Sequence, residues 1–227
     1  EDQAEDTFGE YPPFAMTRAS QGGYVVSAST EFTSSGPYLA WEAFDDITGS
    51  GTDYWSGSVS KYASTGDYGF ETGNAVDPYL TTVSGTIYNG EWIQIKMPHK
   101  LVLDYVTFFP RLINRFPRQG VFAGSNDGIT WYAIHIFSGL STSTETDVPI
   151  ITNSENNTTA YKYIRLVITH LNGGGFAASD NIKLYGHREN DLVRFPDPTN
   201  VLKYPHIIIN EPAKRGYVVS QSSQLVP

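Results

Sequence analysis

Residues Glu91 to Met97, EWIQIKM, place Ile93, Ile95 and Met97 on one face and Trp92, Gln94 and Lys96 on the other. A repeat of two is the signature of a half-buried strand. Pro98-His99-Lys100 then reads as a turn with a missing backbone donor, and Leu101 to Phe109 as a second, β-branched and aromatic strand. Pro110 cannot donate to a ladder, so it ends that strand and delivers Arg111 into a loop. A rigid strand that ends on a guanidinium can aim it at a ligand. The competing reading of Arg111 is an ordinary surface arginine.

Other short runs of the same kind occur along the chain. Tyr24 to Ser29, Gly120 to Ser125, Trp131 to Phe137, Tyr161 to Thr169 and Asn181 to Tyr185 read as strands, with a tight turn at Asn126-Asp127-Gly128. Leu39 to Phe44 reads as a helical turn ended by Asp45-Asp46. Lys61 to Gly90 and Ser138 to Thr159 read as loops, and Gly173-Gly174-Gly175 as a break. No stretch shows helical periodicity over a dozen residues or more. Seven or eight short strands with turns between them predict an all-β sandwich. Trp55, Trp92 and Trp131 are expected in the core or on a sheet, Arg118 and Arg165 in ion pairs or on strand faces, and His99 in solvent.

Composition narrows the function. The 227 residues carry 14% aromatics, including 15 Tyr, and a net charge of −9. That balance repels polyanions, which argues against nucleic acid and anionic membranes as partners. No run of about 20 apolar residues exists to span a bilayer. With no cysteine, thiolate metal sites, disulfides and a Cys nucleophile are excluded.

One internal repeat stands out. Tyr11-Pro12, Gly23-Tyr24-Val25-Val26-Ser27 and Ser29 recur as Tyr204-Pro205, Gly216-Tyr217-Val218-Val219-Ser220 and Ser222, each pair 193 positions apart without a gap. The expected organisation is a flexible acidic lead-in over 1–10, a β-sandwich over 11–190 and a Pro-containing linker over 191–203. Residues 204–227 would then be the start of a second repeat, or a stranded tail in need of a partner.

AFDD, YWSG, GEWIQIKM, VTFFPR, GSNDGITWY, YKYIRLVI and FAASDNIKLYG follow one another across residues 24–187. In that order they resemble the discoidin domain, also called the coagulation-factor type C domain, and most nearly the family 32 carbohydrate-binding modules. The resemblance implies a jelly-roll β-sandwich with a galactose-binding-domain-like fold, and an extracellular, cell-surface or virion-surface setting. Many animal members join their ends by a disulfide, so a chain without cysteine is similar to the microbial or viral kind.

The resemblance also implies a sugar site in loops at one end of the sandwich. Arg111 takes the place of the family's strand-ending arginine, Asn114 that of an asparagine beside it, and Phe176 that of an aromatic packed on the sugar's apolar face. A pyranose offers vicinal hydroxyls to such donors and a C–H face to a ring. Phe176 as a simple plug of the sandwich end is the other reading. Where many galactose binders have a histidine after the tryptophan, Trp55 is followed by Ser56, so Tyr54, Ser56, Tyr38, Arg115, Arg118, His170 and Asn172 become candidates for a different specificity. A structural Ca²⁺ is implied too, with Asp45 as carboxylate, Ile47 as carbonyl, Thr48 or Thr52 as hydroxyl, and Asn181 in place of a late glutamate. Oxygen donors of this kind suit calcium.

No metalloprotease motif, nucleophile elbow or phosphate-cradling loop is present, so the chain reads as non-enzymatic. Two functions remain: a glycan-binding, lectin-like module of a surface, fibre or secreted protein, or a structural, protein-interaction module of a tandem array, touching neighbouring copies of itself.

Overall fold

The alternating runs fold as antiparallel strands in a computed structural model that describes residues 8–34, 36–69, 79–150 and 159–189, with strand residues 213–214 and 217–218. In chain order the strands are β1 (Gly9–Tyr11), β2 (Ser20–Gln21), β3 (Tyr24–Ala28), β4 (Trp55–Ser56), β5 (Leu80–Val83), β6 (Thr86–Asn89), β7 (Glu91–Pro110), β8 (Pro117–Ser125), β9 (Tyr132–Phe137), β10 (Thr146–Pro149), β11 (Tyr161–Leu171) and β12 (Ala178–Arg188). Two 3₁₀ turns, Ala40–Phe44 and Ile113–Arg115, join them. The fold is the expected all-β sandwich. A separate unit, Leu192–Pro227, contains the two-stranded ladder β13 (Ala213–Lys214) and β14 (Tyr217–Val218).

β7 belongs to both layers. Its first half lies between β3 and β11, and β8 and β9 continue that layer outward. Its second half lies between β12 and β10, with β1 beyond β12. The expected turn at Pro98–Lys100 is therefore a correction: these residues lie within the strand, where it leaves one layer for the other. The β11 ladder breaks between Tyr161 and Tyr163, opposite this point, so Pro98 has no ladder bond to lose. His99 is half-buried against Tyr11 and Tyr24, and burial lowers its pKa, so it is not the solvated side chain expected.

The core sits between the layers. Ile93, Ile95 and Met97 enter it from the first half of β7, and Leu101, Leu103, Val106 and Phe108 from the second. The change of phase from Leu103 to Val106 is made by a bulge at Asp104, opposite Tyr185 and Gly186. Gly186 is required there, because a Cβ would collide with the Val102 carbonyl.

Three further expectations change. Gly9 and Glu10 are part of β1 rather than of a flexible lead-in, and Lys183 and Tyr185 bond the Glu10 carboxylate. The segment 61–90 holds the β5–β6 hairpin, and 138–159 holds β10. Residues 1–7, 151–158, 191–203 and most of 204–227 lie outside the described residues.

The β5–β6 hairpin covers the outer face of the first layer, over a small cluster of Val83, Val121, Ala123, Trp131 and Val167. There Arg165 lies between the rings of Trp92 and Trp131, 4.0 Å from each, while Gln94 and Thr81 accept from its nitrogens. Arg165 is thus a packed strand-face residue, and Trp55 and Trp131 are buried as expected. Arg165→Ala removes two cation–π contacts and leaves polar partners unpaired. It is expected to lower stability by about 2–4 kcal/mol in chemical denaturation, with Arg165→Lys recovering only part.

Glu91, at the start of β7, has no exposed surface. Its Oε1 accepts from the Thr30 hydroxyl and the Ser58 N–H, its backbone N–H donates to Tyr62, and Oε2 has no hydrogen-bond partner. Burial pushes its pKa up to about 7. A carboxyl raised in the fold above its unfolded value is stabilising while protonated, and that stability is lost as pH rises. Glu91→Gln is expected to make the fall in unfolding free energy between pH 4.5 and 7.5 smaller than in wild type by about 2–3 kcal/mol, read by denaturation at each pH.

Candidate functional site

β7 starts and ends at the same end of the sandwich. Glu91 meets Ser58 there, and Arg111 meets Tyr54 and Asp180, so both ends of the strand flank β4 and the start of β12. Onto this end the chain folds the 3₁₀ turn Ile113–Arg115 and the loop 172–177. Gly174 is there for close approach: a Cβ on it would lie 2.5 Å from the Asn114 carbonyl oxygen. The Gly175 carbonyl in turn accepts from the N–H groups of Lys61 and Tyr62.

Arg111 follows the last residue of β7, as the sequence suggests. Its guanidinium lies 4.6 Å from the centre of the Tyr54 ring, and its Nε stands 3.7 Å from Asp180 Oδ1, outside hydrogen-bond range. Neither of those two atoms has a hydrogen-bond partner, although both are buried. Asp180 is anchored instead through Oδ2, which accepts from the Gly49 N–H at 3.0 Å. Burial raises the Asp180 pKa against the pull of that hydrogen bond and of Arg111.

The Tyr38 ring lies tilted against Tyr54, centroids 4.5 Å apart, and Phe32 stacks on Tyr38. Burial, with Tyr38 adding to it, pushes the Tyr54 hydroxyl up, so it remains a proton donor at neutral pH. On the facing loop Arg115 lies 3.9 Å above the Phe176 ring. Phe176 is half-buried and Asn114 is exposed. The structure therefore brings Arg111, Asn114, Phe176 and Tyr54 to one end, with Tyr38 and Arg115 between or over the rings.

Other candidates take structural roles. Ser56 is buried, and its hydroxyl donates to the Gly57 carbonyl, so it does not face a ligand. Asn172 donates to the carbonyls of Phe116 and Leu140, closing the loop onto β8. His170 pairs with Asp67 at 2.8 Å, and Arg118 is exposed. Asp180 was missed as a site residue because in sequence it is only the neighbour of Asn181.

The proposed calcium residues are arranged less simply. Asp45 is buried, and its Oδ1 accepts from the Ile47 N–H, while Thr52 is exposed and its hydroxyl donates to Asp53. Asn181 spends its Oδ1 on the Ile182 N–H, whereas Asp180 and Lys183 of β12 both reach the 45–53 loop, Asp180 at the Gly49 N–H and Lys183 at Asp46, 2.7 Å away. Among the described residues no three acidic or histidine side chains converge as a metal cluster. What fits a cation is charge: burial first, then repulsion from Asp53, raises Asp45 to about 6 and Glu42 to about 7. A cation bound by Asp45 and loop carbonyl oxygens would relieve that repulsion.

No family model and no curated protein matches this chain. Among solved structures it is similar to CpGH89CBM32-5 from Clostridium perfringens, in complex with GalNAc-β-1,3-galactose, at 17% identity over 74% of this chain and 99% of that one, with a TM-score of 0.49. It is also similar to the family 32 CBM of C. perfringens NanJ in complex with galactose, at 15% identity, 74% and 96% coverage and a TM-score of 0.47. A third is the fucolectin from Morone saxatilis (striped bass) serum, at 9% identity, 73% and 46% coverage and a TM-score of 0.47.

Proposed function

We propose that this chain is a non-catalytic carbohydrate-binding module, lectin-like, that holds a hexose of a glycan at the end of the sandwich where β7 begins and ends. One observation carries the reading: Arg111 lies over the Tyr54 ring with its side chain 24% exposed, only its buried Nε standing near Asp180. A guanidinium stacked on a ring directs its N–H donors sideways, and vicinal sugar hydroxyls accept from such a fork. The exposed Asn114 amide adds donors and an acceptor, and the half-buried Phe176 ring supplies an apolar surface for C–H groups. A glycan on an extracellular, cell or virion surface is the fitting partner for a chain whose net charge of −9 disfavours polyanions.

A second reading, a structural or protein-interaction module without a working sugar site, is favoured by Arg115, which covers one face of Phe176. A glycan array separates the two. Wild type is expected to bind hexose-bearing glycans, and Arg111→Ala to weaken that binding at least about tenfold, about 1.4 kcal/mol. Binding that survives the substitution overturns the site, and no binding by the wild type favours the structural reading.

We also propose that the 45–53 loop takes a structural calcium ion, with Asp45 as its carboxylate and loop carbonyl oxygens such as that of Ile47 completing it. An ion that binds only the folded state stabilises it by linkage. Millimolar Ca²⁺ is expected to raise the Tm of wild type and not of Asp45→Asn, and EGTA to reverse the rise. An unchanged Tm in calcium and in EGTA would refute the proposal.

A further inference from the structure

The repeat at a spacing of 193 continues into structure. In the sandwich β2 and β3 form a hairpin in which Ser20 pairs with Val25 and Gln21 with Tyr24. The positions 193 residues later are Ala213, Val218, Lys214 and Tyr217, and they pair in the same register, Ala213 with Val218 and Lys214 with Tyr217. The two hairpins therefore match in spacing, loop length and pairing, although they belong to different compact units.

The pattern of retained residues shows what the second hairpin is built to touch. In the first copy Tyr11, Met16, Tyr24 and Val26 are buried in the core. Their counterparts are Tyr204, Ile209, Tyr217 and Val219, three identical and one apolar for apolar. β3 lies along β7, where Ser27 accepts from the Gln94 amide and Ser29 from the Trp92 N–H. Both serines recur, as Ser220 and Ser222.

Gly23 has a φ of +85°, and a Cβ there would stand 2.9 Å from the Pro98 side chain, so glycine is needed on two counts. It recurs as Gly216. Replacements occur at exposed positions, where Arg18, Ser20 and Gly22 become Glu211, Ala213 and Arg215, and at half-buried ones, where Gln21 and Ala28 become Lys214 and Gln221. At Gly22, whose φ of +58° Arg215 would have to adopt, the steric part of the change is compensated. A Cβ there would strike the Phe14 ring at 2.6 Å, and the copy has the shorter Ile207 in place of Phe14.

Random drift does not spare three of four core side chains, two hydroxyl acceptors and a sterically required glycine together. We propose that the 213–218 hairpin, with its flanks from Tyr204 to Ser222, is the opening element of a second sandwich of this same type. Its partner is the first half of a β7-like strand, which it edges as β3 edges β7. The reading is independent of the sugar site, and it makes the chain part of a head-to-tail array of like modules.

A fusion tests this directly. Pro227 is in phase with Ser34, so residues 35–190 of this sequence are joined after Pro227 of the full chain. The appended sandwich then lacks its own opening hairpin and folds only if 204–227 supplies one. Scanning calorimetry is expected to show the heat of unfolding about doubled relative to the parent chain. A second protease-resistant unit of sandwich size is expected beside it. Tyr217→Asp with Val219→Asp in the fusion is expected to abolish the added heat and leave the first sandwich intact. A fusion carrying residues 11–190 after Pro227 controls for the junction. If that control gains the second unit and the 35–190 fusion does not, the proposal is overturned. It is equally overturned if the Asp variant retains the added heat.

Discussion

The fold depends on one strand being held in two layers at once. β7 is hydrogen-bonded to β3 and β11 along its first half and to β12 and β10 along its second. A strand that bends this way closes the sandwich at a corner without a separate loop, and its inward side chains reach the same core from opposite walls. Close packing of those side chains then fixes both the bend and the bulge at Asp104, because a one-residue slip would turn one half of the strand inside out. The corner near Pro98 leaves both ends of β7 at the opposite end of the molecule, and this is what brings Glu91 and Arg111 near a common strand, β4.

Much of this was legible in the residues. Alternation in EWIQIKM placed Ile93, Ile95 and Met97 inward, and Pro110 marked where the strand ends and Arg111 emerges. Reading Pro98–Lys100 as a turn was wrong in kind but right in place: the chain changes direction there, by a bend within one strand. Local sequence cannot separate these two outcomes. A proline without a donor suits a hairpin turn and a break in a ladder equally, and only the partners of both halves decide.

What was not legible depended on partners far away in sequence. The hairpin Leu80–Asn89 lay hidden among glycines and threonines, because its stabilising face is formed by Trp131, Val121 and Val167 on other strands. Ser56 looked like a ligand group because of its neighbours in the chain, yet it is buried between strands. Asp180 stood in sequence only as the carboxylate beside Asn181, and its role is set by the Gly49 N–H and by Arg111. Burial of a polar group is a tertiary fact, and alternation alone does not report it.

The same distant contacts bear on the role proposed for Arg111 in an acidic protein. Asp180 is close enough to attract it, but one carboxylate oxygen is committed to Gly49 and the other stands beyond hydrogen-bond range of Nε. A full bidentate pair would consume the guanidinium's donors and satisfy both partners. The Tyr54 ring instead holds Arg111 by its flat face, a contact that uses charge and spends no N–H. Tyr54 is held in turn by the tilted Tyr38 ring, so the orientation of the guanidinium rests on packed rings as well as on its long ion pair with Asp180. On the proposed reading, such a support leaves the terminal N–H donors to the hydroxyls of a glycan.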